Sequence, residues 1–264
     1  MKINRVCQGD GGTTVSHRFN EKVRKEEGYE QGVSLEMCPL YDFSLEPWML
    51  INHVQRQMIL AYSVIYYLGI DKVGAEVKVL DVGCGYGELF HLLRSYRKAG
   101  GTRLQYIGVD IDKDKKIVAE QLRSTIDYRI MDVLAIENIP ELPVDCIVCA
   151  ETLEHVEESK GVAMMEVMAK CLAPGGLLIM SVPTPDFTVH RDNPFHLREW
   201  KLKEVCDMAV GNGLEILDSY HLGVAAKYWP GTTKRLPRDL MRATMSAFSS
   251  AEGTDGIMIA RRPQ

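Results

Sequence analysis

Residues 79–87 read V-L-D-V-G-C-G-Y-G, an apolar run that ends in the acid Asp81 and gives way to glycines at 83, 85 and 87. Such a run suits a central strand of a parallel sheet. The glycines let the backbone turn sharply and approach a ligand with no side chain in between. Residues 106–110, Y-I-G-V-D, form a second apolar segment ending in Asp110, a carboxylate able to accept hydrogen bonds from both hydroxyls of a ribose. Together the two segments place an adenosine. Further along, Glu151, Glu154 and His155 stand at i, i+3 and i+4, so a helical turn starting at Thr152 puts them on one face. An imidazole is ordinarily neutral near pH 7, which gives His155 the chemistry of a general base. His196, within F-H-L-R-E-W at 195–200, is a second imidazole, and two carboxylates with two imidazoles make a set suited to a divalent metal.

These residues need a scaffold, and the surrounding pattern specifies one. From residue 75 onward strand and helix signals alternate, with strands expected at 77–81, 104–110, 126–131, 144–150 and 176–182 and helices at 88–97, 113–122, 160–172 and 201–212. Two further strands, 214–222 and 256–260, flank an insertion at about 223–255 that holds a helical stretch at 238–248 and the pair Tyr228-Trp229. The expected fold is α/β: a doubly wound, mostly parallel, seven-stranded Rossmann-like sheet with an antiparallel edge hairpin. Residues 1–45 lack periodicity and read as an irregular arm, leaving 46–264 as a single domain. Before the first strand, Trp48, Ile51, Val54, Met58, Tyr62, Ile65 and Tyr66 recur at helical spacing and predict one buried face of a long helix. Trp48, Asn52 and Arg56 share another face of it.

Composition bounds the remaining choices. With 46% hydrophobic and 25% charged residues the chain is an ordinary globular one, and no apolar run reaches the roughly 18 residues of a membrane span. With no secretory signal visible at the start, a cytoplasmic protein is expected. The seven cysteines show no disulfide spacing, and Cys146 and Cys149, in an apolar strand, point to opposite faces and so read as structural. A net charge of −5 argues against nucleic-acid binding by bulk electrostatics. From Lys227 onward, seven basic residues against three acids give +4, a segment that could meet an anionic substrate or form a solvated loop.

Taken in order, the motifs resemble the class I S-adenosylmethionine-dependent methyltransferases across residues 75–223. Asp81-Val-Gly-Cys-Gly-Tyr-Gly87 is similar to the family's D-x-G-x-G-x-G loop, and Asp110 stands where its ribose-binding acid ends the second strand. Asp132-Val133, Cys149-Ala-Glu-Thr-Leu-Glu-His155 and Leu172-Ala-Pro-Gly-Gly-Leu-Leu-Ile-Met-Ser-Val-Pro183 follow in register. The resemblance implies S-adenosylmethionine as cofactor. Gly83 and Gly85 would lie at its methionine part, Asp81 at the loop or the ammonium, Asp110 at the ribose, Ile111 on the adenine face, and Asp132 and Val133 at the adenine edge, with Cys84 and Ala150 completing the wall. Arg56 could pair the methionine carboxylate, but a plain helix surface with Trp48 in the core is the preferred reading of that face. The G-x-G-x-G spacing disfavours a dinucleotide, whose loop reads G-x-G-x-x-G. Methyl transfer needs in-line positioning and removal of the acceptor's proton, which makes His155, Glu151 and His196 the catalytic candidates.

The expected acceptor is an oxygen or nitrogen of a small or medium-sized molecule. Cys149-Ala-Glu-Thr in place of an Asn/Asp-Pro-Pro-Tyr/Phe motif disfavours methylation of nucleic-acid bases. The E-x-x-E-H and F-H-L-R-E-W segments are also similar to those of RNA 3′-terminal 2′-O-methyltransferases. That implies an alternative in which Glu151, Glu154, His155 and His196 hold a divalent metal and nucleic acid is the acceptor, although Phe195 and Arg198 depart from the pattern. A second alternative is a non-catalytic cofactor-binding or scaffold protein.

Overall fold

The computed structural model describes residues 47–69, 76–100, 103–122, 126–184, 195–222 and 255–264. The arm at 1–45 and nearly all of the insertion, with its helical stretch and Tyr228-Trp229, lie outside the described residues. The elements run α1 (Pro47–Leu68), β1 (Glu76–Val82), α2 (Glu88–Gly100), β2 (Arg103–Asp110), α3 (Lys113–Leu122), β3 (Asp127–Ile130), β4 (Val144–Ala150), α4 (Glu158–Cys171), β5 (Leu172–Pro183), α5 (Leu202–Gly211), β6 (Glu215–Leu222) and β7 (Asp255–Arg261). The strands form one sheet in the order β3-β2-β1-β4-β5-β7-β6. Strands β1 to β5 pair in parallel, and β7 lies antiparallel between β5 and β6. The expected mostly parallel sheet with an antiparallel pair at its edge is present.

The strand sequences explain why the sheet is covered on both sides. In β1 and β4 nearly every residue is buried, as a strand packed on both faces requires. Alternate residues feed two cores. Leu80, Ile147 and Cys149 point to the side of α4 and Trp200, whereas Val79, Cys146 and Val148 point to the side of α1 and α2. Cys146 and Cys149 therefore occupy opposite faces, both fully buried.

Helix α1 departs from expectation. Val54, Met58, Tyr62 and Tyr66 are 40%, 59%, 56% and 64% exposed, and of the predicted face with described side chains only Ile65 is buried. Leu60, Ala61, Val64 and Ile65 are buried instead, against the sheet and α2. Residues 58–68 are apolar at almost every position, so helical periodicity admits two competing stripes. The sheet takes the stripe that includes the small Ala61.

Candidate active site

The carboxyl ends of β1, β2 and β4 meet at the middle of the sheet, where the strand order reverses around β1 and β4. After β1 the chain turns through Gly83 and Gly85, at φ +72° and +54°. Gly83 and Cys84 both donate their backbone N–H to the Val109 carbonyl, at 2.8 and 3.1 Å, which lashes the loop to the end of β2. A Cβ at Gly83 would lie 2.2 Å from Thr152 Oγ1, so this position needs glycine for space as well as for conformation. Gly85 donates its N–H to Asp110 Oδ2 at 3.0 Å, and the other Asp110 oxygen accepts from Asp112 N at 3.0 Å. Each carboxylate oxygen keeps a lone pair for a further donor.

Asp81 is buried beneath the loop and accepts a hydrogen bond from the Tyr106 hydroxyl. Burial pushes its carboxyl up to about 7; the Tyr106 bond works against this, and the nearby carboxylates Glu88 and Asp110 add to it. Asp132 caps the 3-10 turn at 133–138 by accepting from Leu134 N at 2.9 Å and pairs with Lys160 Nζ at 2.7 Å. Burial raises the thiols of Cys84 and Cys149, which are therefore unsuited to act as thiolate nucleophiles.

On the β4 side, Glu151 follows Ala150 with φ +49°. Its Oε1 accepts from Ser181 Oγ at 2.8 Å, and its Oε2 lies 3.4 Å from Arg56 Nη1. Arg56 is buried and also donates to Asp255 Oδ2 at 3.1 Å and, through Nη2, to His53 Nδ1 at 3.2 Å. Arg56, which could pair the cofactor carboxylate, is thus engaged with two protein carboxylates and buried rather than on a plain helix surface. Because a guanidinium only donates, His53 carries its proton on Nε2.

A short 3-10 turn, Leu153–His155, comes next. The segment 195–200 is fastened onto it: Leu197 N and Arg198 N donate to the Glu154 carbonyl at 2.8 and 3.3 Å, and Trp200 Nε1 donates to that of Leu153 at 3.2 Å. His155 donates from Nδ1 to the Phe195 carbonyl at 3.0 Å, and its Nε2 faces Glu154 Oε1 at 3.7 Å. The His196 ring stands edge-on to that of His155, their centroids 5.1 Å apart.

Every residue expected to hold the cofactor, Asp81, Gly83, Cys84, Gly85, Asp110, Ile111, Asp132, Val133 and Ala150, lines one cleft together with Glu151 and His155. His196 and Glu154 are not on its wall. The four-ligand metal set is not assembled as expected. Donor atoms of Glu154, His155 and His196 lie within 4.8 Å of one another, but Glu151 is turned toward β5 and α1. The physical reason is local: the turn begins only at Leu153, and the left-handed backbone at Glu151 removes that carboxylate from the helical face. His53, Gln57, Thr152 and Lys160 also line the cleft, beyond the residues that the motifs indicate. For His53 and Gln57 the signal in the sequence is their spacing with Arg56 at i, i+3 and i+4 in the polar stretch 52–57 of α1.

A family model described as a methyltransferase domain matches residues 51–220. The ubiquinone biosynthesis O-methyltransferase of Psychrobacter arcticus is 36% identical over 109 residues, 40% of this chain and 41% of that protein. A probable S-adenosylmethionine-dependent methyltransferase of Mycolicibacterium smegmatis is 29% identical over 153 residues, 55% of this chain and 54% of that protein. The chain thus spans about half or less of these curated relatives. Among solved structures, magnesium protoporphyrin IX methyltransferase from Synechocystis with bound S-adenosylhomocysteine superposes with a TM-score of 0.60 at 15% identity, covering 93% of this chain and 99% of that one. The N-methyltransferase NodS from Bradyrhizobium japonicum, in complex with the same compound, gives 0.58 at 19% identity, covering 86% and 95%.

Proposed function

The chain belongs to the class I S-adenosylmethionine-dependent methyltransferases, and from that membership we propose that its cleft moves a methyl group from S-adenosylmethionine to an oxygen or nitrogen of a small or medium-sized acceptor. One observation carries the reading: a bend at Gly83 with no room for a side chain is tied through Gly85 N to Asp110, whose carboxylate lines the cleft. That bend admits the close approach of the cofactor's methionine part, and Asp110 accepts from a ribose diol. The cofactor supplies a methyl group already activated by its sulfonium. The protein's own share is to orient the acceptor and take its proton. His155 Nε2 is the proton acceptor, since Nδ1 is committed to the Phe195 carbonyl. The buried Glu154 carboxylate beside Nε2 stabilises the imidazolium that results. An imidazole on the wall and relatives named O-methyltransferases support a hydroxyl acceptor.

Calorimetric titration with S-adenosylhomocysteine tests this reading. Wild type binds, and Asp110→Ala loses about 2–4 kcal/mol through both ribose contacts. Equal affinity in the two proteins places the adenosine elsewhere and overturns it. The close approach of Glu154, His155 and His196 supports a second reading, in which the three hold a divalent cation. The Phe195 carbonyl would then orient a metal-ligating imidazole, a common outer-shell arrangement. Metal analysis after dialysis against manganese, with His196→Ala as control, reads it directly: no metal above that of the control removes it.

A further inference from the structure

Glu151 is the one non-glycine residue with positive φ among the described residues, and it sits on the wall of the cleft. A left-handed backbone at a side-chain-bearing residue is unfavourable and persists only where its surroundings hold it. The holding groups are identifiable. Ser181 Oγ donates to one oxygen of the Glu151 carboxylate, Arg56 Nη1 faces the other, and Arg56 is fixed in turn by Asp255. The Glu151 backbone N–H also donates to the Ser181 carbonyl at 3.1 Å. A carboxylate engaged on both oxygens is poorly placed to take an acceptor's proton.

We propose that Glu151 is a positioning residue, its carboxylate a tether that holds its own backbone left-handed and so seats Thr152 against the Gly83 loop. Thr152 is the next residue, and its hydroxyl lies 3.0 Å from the Ala150 carbonyl and 3.4 Å from that of Val82, spanning the ends of β4 and β1. There is no slack at this contact, because even a methyl group at Gly83 would meet the Thr152 hydroxyl. If the backbone at 151 relaxes, Thr152 moves, and the loop that receives the cofactor moves with it. The inference rests on the reading of that loop as the cofactor site.

Glycine and alanine at position 151 separate the tether from any chemical role. Both remove the carboxylate, but only glycine adopts positive φ without strain. S-adenosylhomocysteine binding is measured by calorimetry for the full-length wild type, Glu151→Gly and Glu151→Ala, with thermal melting of each. Expected is a glycine variant within about threefold of wild-type affinity and an alanine variant about tenfold weaker. An alanine variant that fails to fold where the glycine variant folds supports the tether equally. A glycine variant that binds or folds no better than the alanine variant overturns the tether, because the carboxylate itself is then what matters. Wild-type protein that does not bind S-adenosylhomocysteine overturns the cofactor reading and this inference with it.

Discussion

His155 shows how one carbonyl decides what a side chain can do. The Phe195 oxygen can only accept, so it holds a proton on Nδ1 and leaves Nε2 as the atom able to exchange one, beside a carboxylate that is fully buried. Replacing His155 by Asn removes the proposed proton acceptor but leaves the Gly83 loop and Asp110 in place. The expected result is a fall of about 10²–10⁴-fold in kcat with S-adenosylhomocysteine affinity unchanged, read from single-turnover rates and calorimetry on the same preparations. A fall smaller than about tenfold means the acceptor arrives already deprotonated and His155 is no base. His155 and Asp110 are legible in the sequence because each follows the apolar run of a strand whose end the fold gathers at one place. The tethering of Glu151 is not, because its partners arrive from far along the chain. Arg56 comes from α1, Ser181 from β5, and Asp255 from the start of β7, 199 residues from Arg56. Spacing within E-T-L-E-H predicts a shared helical face, and the positive φ at Glu151 together with a turn that starts only at Leu153 overrides it.

Elements differ in how much of themselves they disclose. The central strands are readable to within a few residues because burial on both faces leaves them almost wholly apolar between turn residues. Strand β5 begins at Leu172, earlier than the expected start at Gly176, because Leu172 pairs with Val144 of β4 ahead of a register shift. Helix α1 misleads for the opposite reason, since two apolar stripes compete and bulk favours the wrong one. Its buried stripe carries the stability. Leu60→Ala is expected to cost about 2–4 kcal/mol in denaturant unfolding, through lost burial and the cavity left against the sheet. Met58→Ala and Tyr62→Ala, on the exposed stripe, should each stay within about 0.5 kcal/mol of wild type. A cost at Met58 matching that at Leu60 would mean that both stripes are covered in the folded protein. The same helix brings His53, Arg56 and Gln57 to the cleft, so its register decides stability and site geometry together.

At the scale of the molecule, the sheet carries its cleft above a buried acid at its centre, and that acid links folding to pH. Asp81 ends the apolar part of β1 under the glycine loop, accepting from Tyr106 with Glu88 and Asp110 nearby. Burial lifts its carboxyl from an ordinary 3.8 to about 7. The sign follows from proton counts. Between about pH 4 and 7 the folded chain holds a proton that the unfolded chain has released, so this group's contribution to stability declines as pH rises across that window and is level above it. A ligand with a positive sulfonium acts in the opposite sense, because it favours the ionised carboxylate and expels the proton on binding. S-adenosylmethionine should therefore bind about tenfold more tightly at pH 8 than at pH 6, following the ionised fraction of one group near 7. Calorimetry in two buffers of different ionisation heat should report proton release near pH 7. S-adenosylhomocysteine keeps the ammonium but lacks the sulfonium charge, so its dependence should be shallower. Asp81→Asn should flatten both the binding and the stability profiles, since the amide is neutral throughout. Parallel pH profiles for wild type and Asp81→Asn would assign the proton to another group and remove Asp81 as the origin of the pH dependence.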